Sequence, residues 1–411
     1  MPGSTRRKPT LVLFTLAALL AASLRAQADA APTEISPELE LAVSGASPAA
    51  AIAPNGNALL AWLDHGVRAR QLKANGDFGV VRFARDTARP ASELRAGSSA
   101  NGFVLVWQEF DADDASHLLA RRLRADGTPR GTNASEIALP RIDSTLDLGV
   151  AADGRFAVLF TDTRPLGDDA VSATARLQRF ASDGRRLGSP LRLAGGSLPL
   201  DERTLRSGGV AAGAGFIAAG WTAFTGCDGA GSPDLRAAVA RVPWSGASSQ
   251  TVATFADGHG CDGGPLLQGL LPSEVGTLAV LSGHNQNFQR FDPTSGEPTG
   301  ARTVFSDQPQ PACEESACTR LVAVAGDANG RFASVWETAD DDGYVVSVQL
   351  RGREGQERSE VIQLNETPSA RATHPAVVLA SNGVAHVIWE QAVDEELESP
   401  AAIHLRSVRF R

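Results

Sequence analysis

The sequence predicts an all-β protein: a seven-bladed β-propeller of four-stranded antiparallel blades, whose last blade is closed by an N-terminal strand. Three observations predict it. First, a hydrophobic run that opens at glycine and ends on a bulky residue occurs seven times, with one exception at the bulky end: Gly56 to Trp62, Gly102 to Trp107, Gly154 to Phe160, Gly215 to Trp221, Gly276 to Ser282, Gly330 to Trp336 and Gly383 to Trp389. Second, the copies recur about every 45 to 61 residues, the span of a four-stranded blade. Third, the last copy is followed by one strand, Ile403 to Phe410, and no second. The missing partner is expected at the other end of the domain, where Glu38-Leu-Glu-Leu-Ala-Val43 has the pattern of a fourth strand.

The chain opens on a leader. Arg6, Arg7 and Lys8 precede the apolar run Leu11 to Leu24, and Ala26-Gln27-Ala28 has the small-x-small form of a cleavage site. The run is short of the about 20 residues that span a bilayer. No cysteine follows it, so no lipid attachment is expected. Residues 1–28 read as a secretory signal peptide cut near Ala28. Residues 29–411 read as one domain, secreted or periplasmic.

Charge narrows the partners. The formal net charge is -9, and the leader carries bases but no acid, so the mature chain is more acidic still. That argues against nucleic acid and, after leader cleavage, against an anionic membrane.

The glycine-to-Trp copies read as second strands. Phe103-Val-Leu-Val-Trp107 is β-branched and aromatic, too short for a stable helix, and opened by a turn signal. A near-continuous apolar run suits a strand covered on both faces by neighbouring blades. Its Trp is expected in the core. Third strands follow, such as Val67 to Leu72 and Leu118 to Leu123, with alternating charged and apolar residues. Each ends at a glycine turn: Asn75-Gly76, Asp126-Gly127, Asp183-Gly184, Ser245-Gly246, Ser295-Gly296 and Glu354-Gly355. Fourth strands such as Glu136 to Leu139 and Leu191 to Leu193 come next. First strands such as Ala49 to Ala53 and Pro375 to Ala380 precede each copy. Residues 35–44 are expected to pair with residues 402–410 and close the ring, which removes two exposed sheet edges. Blade 5 is expected to pack least well, because Ser282 stands where the others have an aromatic side chain.

Loop lengths sort onto two faces. The turns between first and second strands and between third and fourth are tight, and both lie on one face. The connections on the other face are long, and long loops on a rigid frame carry function in β scaffolds. That face is acidic: Asp111, Asp113 and Asp114; Asp168 and Asp169; Asp340, Asp341 and Asp342. These are the candidate binding residues for a cation or a cationic ligand. Calcium is possible if six or more oxygens converge, although no calcium-loop motif is present; the metal is otherwise unassigned. Cys227, Cys261, Cys313 and Cys318 are an even set in an exported chain, on the same face. Three pairings are open. Cys313 and Cys318 are close in one loop, and a bond between Cys227 and Cys261 would close about 34 residues, worth roughly 3–4 kcal/mol.

With the units laid out, the chain resembles the secreted bacterial β-propeller repeat proteins. Their units run glycine, apolar run, Trp, strand, then Asp-Gly-x-x-x-Gly. Here the last element is Asp126-Gly-Thr-Pro-Arg-Gly131 and Asp183-Gly-Arg-Arg-Leu-Gly188. The resemblance covers the mature chain and implies the fold; it does not imply one activity. More distantly, the chain resembles sialidases, although Ser182-Asp-Gly184 is compressed and lacks their Trp. That resemblance implies a tyrosine nucleophile. Tyr344 is the chain's single tyrosine, with Glu337 or Asp342 as partner and Arg164 or Arg320 as carboxylate clamp. The main expectation is a non-catalytic scaffold that binds a protein or glycan through its acidic face and needs no cofactor. Its rival is a sialidase-like glycosidase.

Overall fold

The computed structural model describes residues 34–86, 89–113, 115–138, 145–165, 170–199, 205–223, 236–256, 266–274, 276–282, 286–292, 294–306, 318–340, 343–366, 371–392 and 401–410. These residues form seven antiparallel sheets. In six, four strands follow one another in chain order.

Each sheet runs from an inner strand to an outer one. The inner strands are Ala46–Ile52, Ala91–Ser99, Leu146–Val150, Leu205–Ala212, Leu266–Ser273, Cys318–Gly326 and Arg371–Leu379. Each packs on the inner strand of the next blade, and Arg371–Leu379 packs back on Ala46–Ile52. The seven therefore ring a central axis.

The second strands are buried on both faces, as their unbroken apolar sequence requires. Ala58–Leu63 and Gly276–Ser282 bury every residue. The core is divided, one cluster to each seam between blades. Leu59 meets Trp107 between blades 1 and 2, Leu159 meets Trp221 between blades 3 and 4, and Val335 meets Trp389 between blades 6 and 7. The clusters at the seams between blades 7 and 1, built on Leu60, Ile388 and Leu405, and between blades 5 and 6, built on Leu278, Phe288 and Phe332, are the smallest among the described residues. At the tight turns the glycines take the left-handed backbone that the Asx-Gly pairs imply; Gly56 has φ 82° and Gly154 has φ 88°.

Blade 7 is completed from the other end of the domain. Glu34 pairs with Arg409, Ile35 with Val408, Leu39 with Leu405, Glu40 with His404 and Ala42 with Ile403. The closing strand is in two pieces, Glu34–Ile35 and Leu39–Ala42. Between them the Ser407 amide donates to Ser36 Oγ at 2.9 Å, Arg406 Nε donates to the Ser36 carbonyl at 2.9 Å, and His404 Nδ1 lies 2.7 Å from Glu38 Oε1.

Two details differ from the sequence reading. Several second strands run past their bulky residue, as in Phe156–Pro165, Phe332–Asp340 and Val384–Ala392, because third strands such as Ala170–Phe180 start early and extend the ladder. Asp340 is thus a strand residue rather than a loop residue. In blades 1 and 6 the second and third strands are only two residues apart, and in blade 5 three, so the connections on the face expected to be long are short in three of the seven blades.

Candidate functional site

The site is built by a repeated irregularity. In six inner strands the register slips by one residue beside the end of the second strand. Such bulges bend a strand and re-aim its side chains. In blades 7, 1 and 2 the bulge holds a non-glycine residue at positive φ: His374 at 53°, Ser47 at 49° and Glu93 at 55°. Each conformation costs about 1–3 kcal/mol and must be held from outside.

Two of the three are held by carboxylates of the preceding blade. Glu337 follows Trp336, and its Oε1 accepts the His374 amide at 2.6 Å. Glu390 follows Trp389, and its Oε1 accepts the Ser47 amide at 2.5 Å. In blade 1 the residue after Trp62 is Leu63, which has no oxygen to offer. Glu93 instead pairs with Arg95 at 2.9 Å.

These positions line an axial cavity of about 510 Å³. It lies against the first halves of the inner strands, where the long connections enter, so it belongs to the long-loop face. Its polar wall is Glu93, Arg95, Asp147, Gln268, Glu337 and His374. Arg95 Nε lies 3.7 Å from Asp147 Oδ1, so one guanidinium serves two carboxylates. Burial pushes the Asp147 carboxyl above the usual carboxylate range, against the opposing pull of Arg95 and of bonds from Ser207 and Gly209. His374 Nδ1 lies 3.2 Å from Glu390 Oε2. Among the described residues, no group of three or more His, Cys, Asp or Glu side chains is arranged to hold a metal ion.

The structure separates the residues singled out from sequence. Glu337 is in the cavity wall, and Arg320 stands opposite it in the register of blade 6. Tyr344 is not in the wall. It packs on the core between blades 6 and 7, with the Arg371 guanidinium 5.8 Å from its ring centroid. Arg164 pairs with Asp162 at 3.0 Å, and Asp162 also meets Arg176 at 3.3 Å. Asp111 is engaged in its own loop. It accepts the Asp113 and Ala115 amides at 3.0 and 2.9 Å and meets His117 Nε2 at 3.1 Å, and the His117 bond holds its carboxyl below the usual range. Asp113 is in the same turn. Asp340 ends the second strand of blade 6, and Cys318 begins its inner strand. Asp114, Asp168, Asp169, Asp341, Asp342, Cys227, Cys261, Cys313 and the leader lie outside the described residues.

Glu93, Arg95, Asp147, His374 and Glu390 were missed. One signal was available: Ser47-Pro48 and His374-Pro375 put proline inside an inner strand, where it marks a bulge or an unpaired edge.

No family model matches the sequence, and no curated protein matches it. Solved structures do resemble it in fold. One is a protein of unknown function from Dyadobacter fermentans, 13% identical, with a TM-score of 0.52 over 92% of this chain and 99% of that one. Another is a polysaccharide lyase, an ulvan lyase, 10% identical, with a TM-score of 0.54 over 90% of this chain and 95% of that one. At such identities the likeness is one of architecture.

Proposed function

We propose that the protein is an exported, non-catalytic propeller that binds a neutral glycan in the axial cavity of its long-loop face. One observation carries the reading: planar polar groups of four kinds, carboxylate, amide, guanidinium and imidazole, converge on one cavity. Such groups suit sugar hydroxyls, which donate and accept at once. A cavity of about 510 Å³ has the size of a small-ligand pocket. Carboxylates outnumber cations in it, and Arg95 is already shared by two of them, so an acidic glycan would enter against its charge. The occurrence of this fold in a polysaccharide lyase is in keeping with a saccharide ligand.

The test is a glycan array with the purified mature chain, followed by calorimetry. Neutral oligosaccharides should bind, and Asp147→Ala or Arg95→Ala should weaken binding by about tenfold or more. An array with no neutral hit would remove the reading. Glycoside cleavage is the second reading, favoured by Asp147, a half-buried carboxyl shifted toward its protonated form beside Glu93. Release of reducing ends that stops in Asp147→Asn would establish it.

A further inference from the structure

Eight large apolar side chains stand exposed among the described residues, and six of them flank a single seam. Ile35, Leu39 and Val43 lie on or beside the closing strand, at the rim of blade 7. Val80, Val81 and Phe83 lie on Phe78–Asp86, the outer strand of blade 1. Val304 and Val361, in blades 5 and 6, each stand alone. Single exposed apolar residues are ordinary, but a contiguous set marks an interaction site. The two strips are contiguous. Both border the cavity of about 440 Å³ between the blades, through Ile35 and Leu39 on one side and Phe78 on the other.

Shape, size and charge say what covers the patch. The outer strand of blade 1 slips register twice against its neighbour, beside Arg68 and between Arg70 and Leu72. Such slips bend an edge and spoil it as a template for a further strand. They also let the adjacent Val80 and Val81 both face outward, 65% and 41% exposed. The partner is therefore gripped by side chains, which fits a folded surface rather than an extended peptide. At about 150 Å² for a fully exposed side chain of this kind, the six leave roughly 500 Å² of apolar surface open. A stable interface takes about 800 Å² from each partner, a little over half of it apolar. The border is mixed in sign. Beyond the pair of Arg409 and Glu34, 3.6 Å apart, it carries Lys73 and Arg82 against Glu40, Asp77 and Asp86. The chain as a whole carries a net charge of -9, so two copies repel over most of their surface and least here.

We propose that this rim is the interface of a two-fold symmetric dimer, in which two copies of the chain meet patch to patch across the seam between blades 7 and 1. An interface that uses the same patch on both copies closes at two and leaves nothing to extend. The dimer covers the closing strand, so association holds the ring shut. Both axial cavities stay open, because the patch lies on outer strands and the cavity is lined by inner ones. The dimer does not depend on what that cavity binds.

The experiment is sedimentation velocity of the mature chain from about 1 to about 100 μM. The wild type should show a monomer–dimer equilibrium that stops at two. Val43→Glu and Val80→Glu change one exposed side chain on each strip, 79% and 65% exposed, and neither side chain has a core to lose. Each should weaken the dimer by about tenfold or more in Kd, with the circular dichroism of the monomer unchanged. Val361→Glu, 58% exposed but away from the patch, should leave the dimer as it is. The melting temperature should rise with protein concentration in the wild type and less steeply in the two patch variants. A wild type that stays monomeric at about 100 μM overturns the proposal; uptake of an apolar dye at the patch would then assign it to a different partner. A dimer that survives both patch variants overturns it as well, and so does a mass that keeps growing past two copies.

Discussion

At the scale of single residues, polar groups in the blades are matched to donors that the repeat creates. The Trp107 indole N–H donates to Glu109 Oε1 at 2.9 Å, and Trp389 donates to Gln391 Oε1 at 3.0 Å. In both, the acceptor sits two residues after the Trp, on the same face of the strand. Glu109 is fully buried and also takes Arg85 Nε at 3.2 Å. Glu109→Leu would leave the indole and the guanidinium without their acceptor, a loss of roughly 3–5 kcal/mol. Glu109→Gln keeps an acceptor for the indole and should lose less than half of that; urea unfolding of the two variants checks the order. His386 sets a pH dependence. Its Nδ1 lies 2.7 Å from Ser407 Oγ on the paired strand, and burial lowers its pKa to about 4. In the unfolded chain the imidazole protonates near its ordinary pKa of about 6.5. Between the two values the unfolded state binds more protons, so stability rises with pH there. The contribution is full above about 6.5, is lost as the pH falls toward about 4, and amounts to about 3 kcal/mol. His386→Asn should flatten that part of the stability profile when urea midpoints are compared at about pH 7 and about pH 4.5.

At the scale of the element, blade 5 shows what happens when the repeat loses a member. Ser282 leaves the aromatic place small, and Gln268 Nε2 reaches its hydroxyl at 2.6 Å. On the opposite face Arg179 of blade 3 ties itself to blade 4, donating to the carbonyls of Pro243 and Gly246 at 2.6 and 2.7 Å. Arg290 is the counterpart in blade 5, and its two terminal nitrogens are buried without an acceptor among the described residues. Its seam to blade 6 therefore lacks that tie. In hydrogen exchange, Gly276–Ser282 and Gln286–Phe291 should lose protection before Gly102–Phe110 and Ser116–Leu123 do; equal protection would refute the weakness. Blade 5 was legible in the sequence because a missing Trp is visible against a period. So were the strands, their order and the closing pair, since burial on both faces imposes unbroken apolar runs and turns demand glycine. The site was not legible. Glu337 was singled out only as a partner for Tyr344, which packs elsewhere, and Glu390 looks like an ordinary polar residue after a Trp. Their meaning depends on a one-residue slip in a strand of the next blade, which apolar periodicity does not encode. Glu93 and Asp147 come together only through Arg95 and the curvature of the ring.

At the scale of the whole molecule, the ring is a cycle of seven seams, and a cycle is as firm as its weakest join. The join between blades 7 and 1 is the one made between the two ends of the domain. It has a small apolar cluster, a closing strand in two pieces, and a cavity of about 440 Å³ bounded by Ile35, Leu39, Phe78 and Leu405. It also sets the site, because Glu390 of blade 7 must reach across it to hold Ser47 of blade 1. Fold closure and site geometry are thus coupled at one place. Shortening the chain to begin at residue 43 would remove the partner of Ala402–Arg409 and leave its edge unpaired. The loss is a few backbone hydrogen bonds at about 1 kcal/mol each plus the burial of Leu41, on the order of 4–6 kcal/mol together. If the coupling is real, this variant should lose oligosaccharide affinity at temperatures where its circular dichroism is still native, since the loosened seam is the one that Glu390 spans to hold Ser47. A synthetic peptide of residues 34–42, added in trans, should restore both stability and affinity. Affinity that survives the truncation until the whole fold melts would show that the site does not depend on closure.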